Sequence, residues 1–215
     1  MPSLRGMALL ADDFYLMSHD SVSGEPYLTD RVTGIGLAGA LLGELALDRK
    51  IDLHGEAVVV VDREPPADAL THRVLEYLLS EQHPMRDWLA FFGQSAVDDV
   101  AARLVHLGVL ARQRSRRPWR DGRWVPISGN VAALPAATLC TRLIRGEPLT
   151  EQATVLAGLA LATGLDHRVL WEVRDAAPFA LTELDTALAE LDRPLRELIG
   201  HTEAMVGSII ASHRA

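Results

Sequence analysis

The chain has 215 residues, 48% hydrophobic and 23% charged, with a formal net charge of −8, a balance that fits a globular protein burying a core of its own. The negative charge excludes a protein that coats nucleic acid or anionic membrane with its whole surface, while leaving room for a local basic patch. The single Cys140 excludes an intramolecular disulfide and a cysteine metal cluster, and no apolar run reaches the roughly 20 residues of a bilayer span.

Residues 7–17 carry Leu9, Leu10, Phe14 and Met17 at helical spacing, which places Asp12 and Asp13 on the opposite, solvated face. No basic region followed by an apolar signal core precedes them, so no secretion is expected. Ser23-Gly24-Glu25-Pro26 reads as a turn. Gly34, Gly36, Gly39 and Gly43 then lie among the leucines of a helix centred on residues 37–47. Each glycine costs a helix interior about 1 kcal/mol against alanine, so four of them imply neighbouring helices that approach closely. Gly34-x-Gly36-x-x-Gly39 formally matches a dinucleotide-binding pattern, but no strand precedes it and it lies inside the apolar helix.

Residues 49–53 are a short strand, and Ala57-Val58-Val59-Val60-Val61 is a clearer one, stopped by Asp62 and Pro65-Pro66. Amphipathic helices follow at 68–80, at 85–92 after Pro84, and from Ser95 to a cap at Gly108. A β-hairpin within 108–127 has arms at 109–111 and 123–125, and it is expected to project. Beyond it the pattern is helical at 131–145, 149–163, 167–174 and 179–213, the last interrupted near Pro194 and Gly200. The fold class is therefore mainly α, a single domain over 1–215 with one or two small β pieces.

The sharpest chemical cluster is in that hairpin: Arg112, Arg114, Arg116, Arg117, Arg120 and Arg123 interleaved with Trp119 and Trp124. Guanidinium forks bind phosphate oxygens, and indole rings suit a membrane–water boundary. The competing reading is a solvated loop whose arginines pair with the protein's own carboxylates. The eight histidines show no i, i+4 pair with a nearby acid, and Ser18, Ser21 and Ser23 near His19 and Asp20 make no Gly-x-Ser-x-Gly elbow. No nucleophile, metal set or phosphate loop stands out, so neither an enzyme nor a cofactor is expected.

The stretch Leu9-Leu10-Ala11-Asp12-Asp13-Phe14-Tyr15-Leu16-Met17, the turn at 23–26, and the small-residue helix ending Glu44-Leu45-Ala46-Leu47 before Arg49 resemble the opening of the Golgi phosphoprotein 3 family. The similarity continues more weakly through Leu104 to Leu110, the hairpin and the helical C-terminal half. Lys50 is the only lysine, which points to a GC-rich bacterial genome. The resemblance implies a peripheral, non-enzymatic membrane protein that binds phosphatidylinositol 4-phosphate, with a hairpin that contributes to self-association.

The family's headgroup contacts are a tryptophan, an arginine and two further basic residues. Here they fall on Thr29, Ala38, Gln94 and Val97, none of which matches. Losing three charge-assisted contacts of about 1.5–3 kcal/mol each should abolish recognition by that mode. Arg31 and the hairpin arginines offer replacement positive charge, so weak binding to anionic phospholipid or to a protein partner is expected, in a cytoplasmic protein at most peripheral to a membrane. The alternative is a winged-helix nucleic-acid binder built from the helix before Gly108 and the hairpin. Against it, that helix carries Asp98 and Asp99 with only Arg103 to meet phosphate.

Overall fold

The computed structural model describes residues 9–113 and 123–212. Among them are eleven helices and two antiparallel two-stranded sheets, so the mainly α architecture holds. The centre is α2 (Asp30–Leu47), buried continuously from Val32 to Leu45. A helix apolar on all sides must be enclosed on all sides. It is packed by α1 (Leu10–Met17), α3 (Ala69–Ser80), α4 (Met85–Gly93), α5 (Ala96–His106), α7 (Glu151–Ala162) and α11 (Arg193–Ser212). Its glycines serve that enclosure: a Cβ on Gly34 would stand 2.2 Å from the Gly93 carbonyl oxygen, so α2 and α4 meet backbone to backbone.

Thr29 starts α2 as its N-cap, accepting from the Val32 amide, and Asp68 starts α3 in the same way through the Thr71 amide. The two strands expected near residues 49–61 form one hairpin, β1 (Ile51–His54) with β2 (Ala57–Val60), in register Ile51↔Val60. The second hairpin pairs β3 (Leu110–Gln113) with β4 (Arg123–Pro126), in register Leu110↔Pro126 and Arg112↔Trp124. Gly108, with φ +72, closes α5 ahead of it as the sequence suggests.

The C-terminal half departs from the expected boundaries. The stretch 167–174 is two short helices, α8 (Asp166–Val169) and α9 (Trp171–Ala176), hinged at the fully buried Leu170. The break expected near Pro194 and Gly200 lies at 191–192, between α10 (Pro178–Glu190) and α11. Proline sits in the first turn of α11, where its missing N–H costs nothing, and Gly200 lies within an unbroken helix. The remaining helix, α6 (Gly129–Ile144), carries Pro135 in its interior.

Candidate functional site

The hairpin is fixed at its base. Leu110 is buried, the Ile127 amide donates to the Val109 carbonyl at 2.9 Å, and the loop 18–26 lies against β4. Gly24 has φ +67, and a Cβ there would stand 2.1 Å from the Trp124 carbonyl oxygen; only glycine permits that approach. Asp20 holds the loop by accepting from the Val22 and Ser23 amides at 3.0 and 2.7 Å.

On this base the cross-strand pair Arg112 and Trp124 places the guanidinium 5.5 Å from the indole centroid, within cation–π range. Arg112 and Arg123 are exposed and Trp124 is half-buried. Arg123 Nη1 donates to Glu25 Oε1 at 2.9 Å, so for this arginine the pairing with the protein's own carboxylate is the correct reading. Arg114, Arg116, Arg117, Trp119 and Arg120 lie outside the described residues. Arg31 is exposed on the first turn of α2.

The four headgroup positions carry no cation. Thr29 is used as the α2 cap, Ala38 is wholly buried, Gln94 is exposed after α4, and Val97 is half-buried on α5. Gln94 borders a groove of 380 Å³ edged by Tyr77, Phe91 and Phe92. Its arginine, Arg73, is paired with Asp99 at 2.6 Å, so a phosphate entering there competes with a carboxylate already in place.

The one arginine left for phosphate on α5 points inward. Arg103 Nε donates to Asp12 Oδ1 at 2.8 Å, Nη2 to Glu44 Oε1 at 3.1 Å, and Nη1 to Asp68 Oδ2 at 2.9 Å. The Ala11 amide also donates to Glu44 Oε1 at 2.8 Å, and the Thr71 hydroxyl lies 2.7 Å from Glu44 Oε2. One guanidinium therefore joins α1, α2, α3 and α5, and Asp98 is left on the outer side of α5 without it. This arrangement also corrects the expected solvated face of α1: Asp12 is 6% exposed and Asp13 is half-buried.

The electrostatics follow from burial. Burial raises Asp12 to about 6, an effect that Arg103 opposes without cancelling. Asp13 is pushed up to about 7 by burial, then by Asp12 and Glu44. Burial also works upward on Asp68, but there the Thr71 amide and Arg103 outweigh it and its carboxyl falls below the ordinary value. For Arg103, burial works downward and the carboxylates of Glu44 and Asp12 override it, so its charge is secure.

The sequence held a signal for this network. A lone Glu44 inside an otherwise apolar helix needs a buried partner, and few arginines lie among apolar neighbours as Arg103 does. What it lacked was the partner's identity, which depends on how four helices meet.

Among the described residues no helix is long and apolar enough to cross a membrane, and no group of three or more histidine, cysteine or acidic side chains is placed to hold a metal ion. Compared with protein-family models, residues 10–202 match Golgi phosphoprotein 3 (GPP34). No curated protein matches the chain.

Proposed function

Because the chain belongs to the Golgi phosphoprotein 3 family over residues 10–202, we propose that it is a non-enzymatic peripheral or adaptor-type protein whose contact surface is the β3–β4 hairpin. The hairpin meets anionic phospholipid by charge rather than by a phosphoinositide pocket. The observation that carries this reading is the pairing of two facts. Thr29, Ala38, Gln94 and Val97 offer no cation to a phosphate, while Arg112 and Arg123 stand exposed on a hairpin whose base is clamped by Gly24. An anchored base holds Arg112 and Arg123 in place before contact, which lowers the ordering cost of binding through them. The exposed Asp98 of α5 and the inward turn of Arg103 favour this over nucleic acid.

Flotation with neutral, phosphatidylserine-containing and phosphatidylinositol 4-phosphate-containing vesicles tests it. Binding should track total negative charge rather than headgroup identity. Changing Arg116, Arg117 and Arg120 together to glutamine should remove most of it, because each basic residue near an anionic leaflet contributes about 1 kcal/mol. Tight, salt-insensitive flotation confined to phosphatidylinositol 4-phosphate would show a replacement pocket and sink the reading. Binding to none of the vesicles, with hairpin-dependent self-association instead, would turn it toward a protein partner.

A further inference from the structure

Asp13 opens onto a cavity that the membrane reading does not use. The space, 340 Å³, lies between α1, α6 and α7, and its walls include Leu134, Pro135, Leu139, Ala153 and Leu156. That volume falls within the ~300–1,000 Å³ range of small-molecule sites, and its walls are predominantly apolar, as such sites are. Asp13 supplies an acid at one edge.

The charge around that acid is unbalanced. Next to Asp13 are Asp12 and Glu44, both bonded to Arg103, whose guanidinium also reaches Asp68. The groups that act on Asp13 itself are Asp12 and Glu44, both negative. Arg142 also lines the cavity, but its Nη1 is turned to the Pro148 carbonyl at 3.3 Å. At the Asp13 end an incoming cation is therefore favoured by negative neighbours, while Arg142 keeps its positive charge at another part of the wall. A bare metal ion is poorly served, because Asp13 is the single carboxylate of the lining and the other side-chain oxygens, those of Thr138, Thr150 and Gln152, are neutral.

We propose that this cavity binds an amphiphilic primary ammonium, with Asp13 as counter-ion and the α6–α7 wall around the apolar body. The proposal does not depend on the hairpin, and the failure of either leaves the other standing.

Calorimetric titration of the full chain with octylammonium tests it, with 1-octanol, octanoate and Mg²⁺ as comparison ligands at pH 8. Octylammonium should bind about tenfold or more tightly than each of the three. Asp13→Asn should remove that advantage and leave the affinity for 1-octanol unchanged. Ala153→Met narrows the cavity and should weaken both octylammonium and 1-octanol, which covers the case in which Asp13→Asn alters the fold. Asp13 titrates at about 7, so affinity should rise about tenfold between pH 6 and pH 8 while the ammonium stays charged. Three results each overturn the proposal: no saturable octylammonium binding, equal binding of Mg²⁺ or 1-octanol, or an Asp13→Asn chain that keeps its octylammonium affinity.

Discussion

Asp12 and Asp68 share one guanidinium yet move in opposite directions, and their surroundings explain why. Asp12 is 9% exposed at the side chain and meets Arg103 through Nε alone. Asp68 is 22% exposed and also caps α3 by accepting the Thr71 amide. The sign of the pH dependence follows. Asp12 and Asp13, raised to about 6 and about 7, hold protons in the folded state that the unfolded chain releases. Their contribution is therefore greatest at low pH and is lost as pH climbs through those values. Asp68, lowered, contributes above its unfolded value and loses its contribution as pH falls below about 4. Buried His19, held below its ordinary value, works the other way at pH 5, so the test is a difference between chains: Asp13→Asn should raise the urea midpoint more at pH 8 than at pH 5. An equal effect at both pH values would contradict the assignment. Arg103→Met leaves three carboxylates facing one another, so the expected loss is about 3–5 kcal/mol, read as a lower melting temperature. Asp12→Asn in the Arg103→Met background should recover part of that loss.

The glycines of α2 are not equivalent to glycines elsewhere, although they look alike in the sequence. A Cβ on Gly39 would stand 2.8 Å from Thr202 Oγ1 on α11 and 3.1 Å from Leu159 Cδ2 on α7, while one on Gly207 meets nothing within 4 Å. Gly39→Leu should therefore cost about 1–3 kcal/mol or more by overpacking. Gly207→Ala should stabilise by up to about 1 kcal/mol through helix propensity. A thermal melt of both variants decides it, and a neutral Gly39→Leu would deny the close contact. That α2 is central was legible because four glycines among leucines make sense only in an enclosed helix. Which helices enclose it was not, since Thr202 and Leu159 lie far along the chain and their own patterns name no partner. Gly200 misled for the converse reason: a helix interior tolerates an isolated glycine, and α11 runs through it.

Taken as a whole, the protein is acidic while one hairpin is not: 109–127 holds six arginines against the single Asp121, in a chain of net charge −8. On the membrane reading proposed above, such a charge distribution would make binding to an anionic surface oriented and weak. That Arg112 and Arg123 stand exposed on hairpin arms was legible from residue type and spacing. The pairing of Arg123 with Glu25 was not, because it rests on Gly24 letting the 18–26 loop close onto β4. That ion pair is exposed, 43% and 62% at the two side chains, so it gives way readily when a competing anion arrives. Glu25→Gln removes one negative charge and releases Arg123, and it should strengthen binding to phosphatidylserine vesicles about fivefold, the equivalent of about 1 kcal/mol for one basic group. Arg123→Gln should weaken binding by a similar factor. Both differences should shrink as salt rises to the physiological range, where the screening length falls to about 8 Å. If Glu25→Gln instead leaves vesicle binding unchanged at low salt while Arg116, Arg117 and Arg120 still matter, the contact is made by the distal part of the hairpin and the β3–β4 arms serve only to hold it in place.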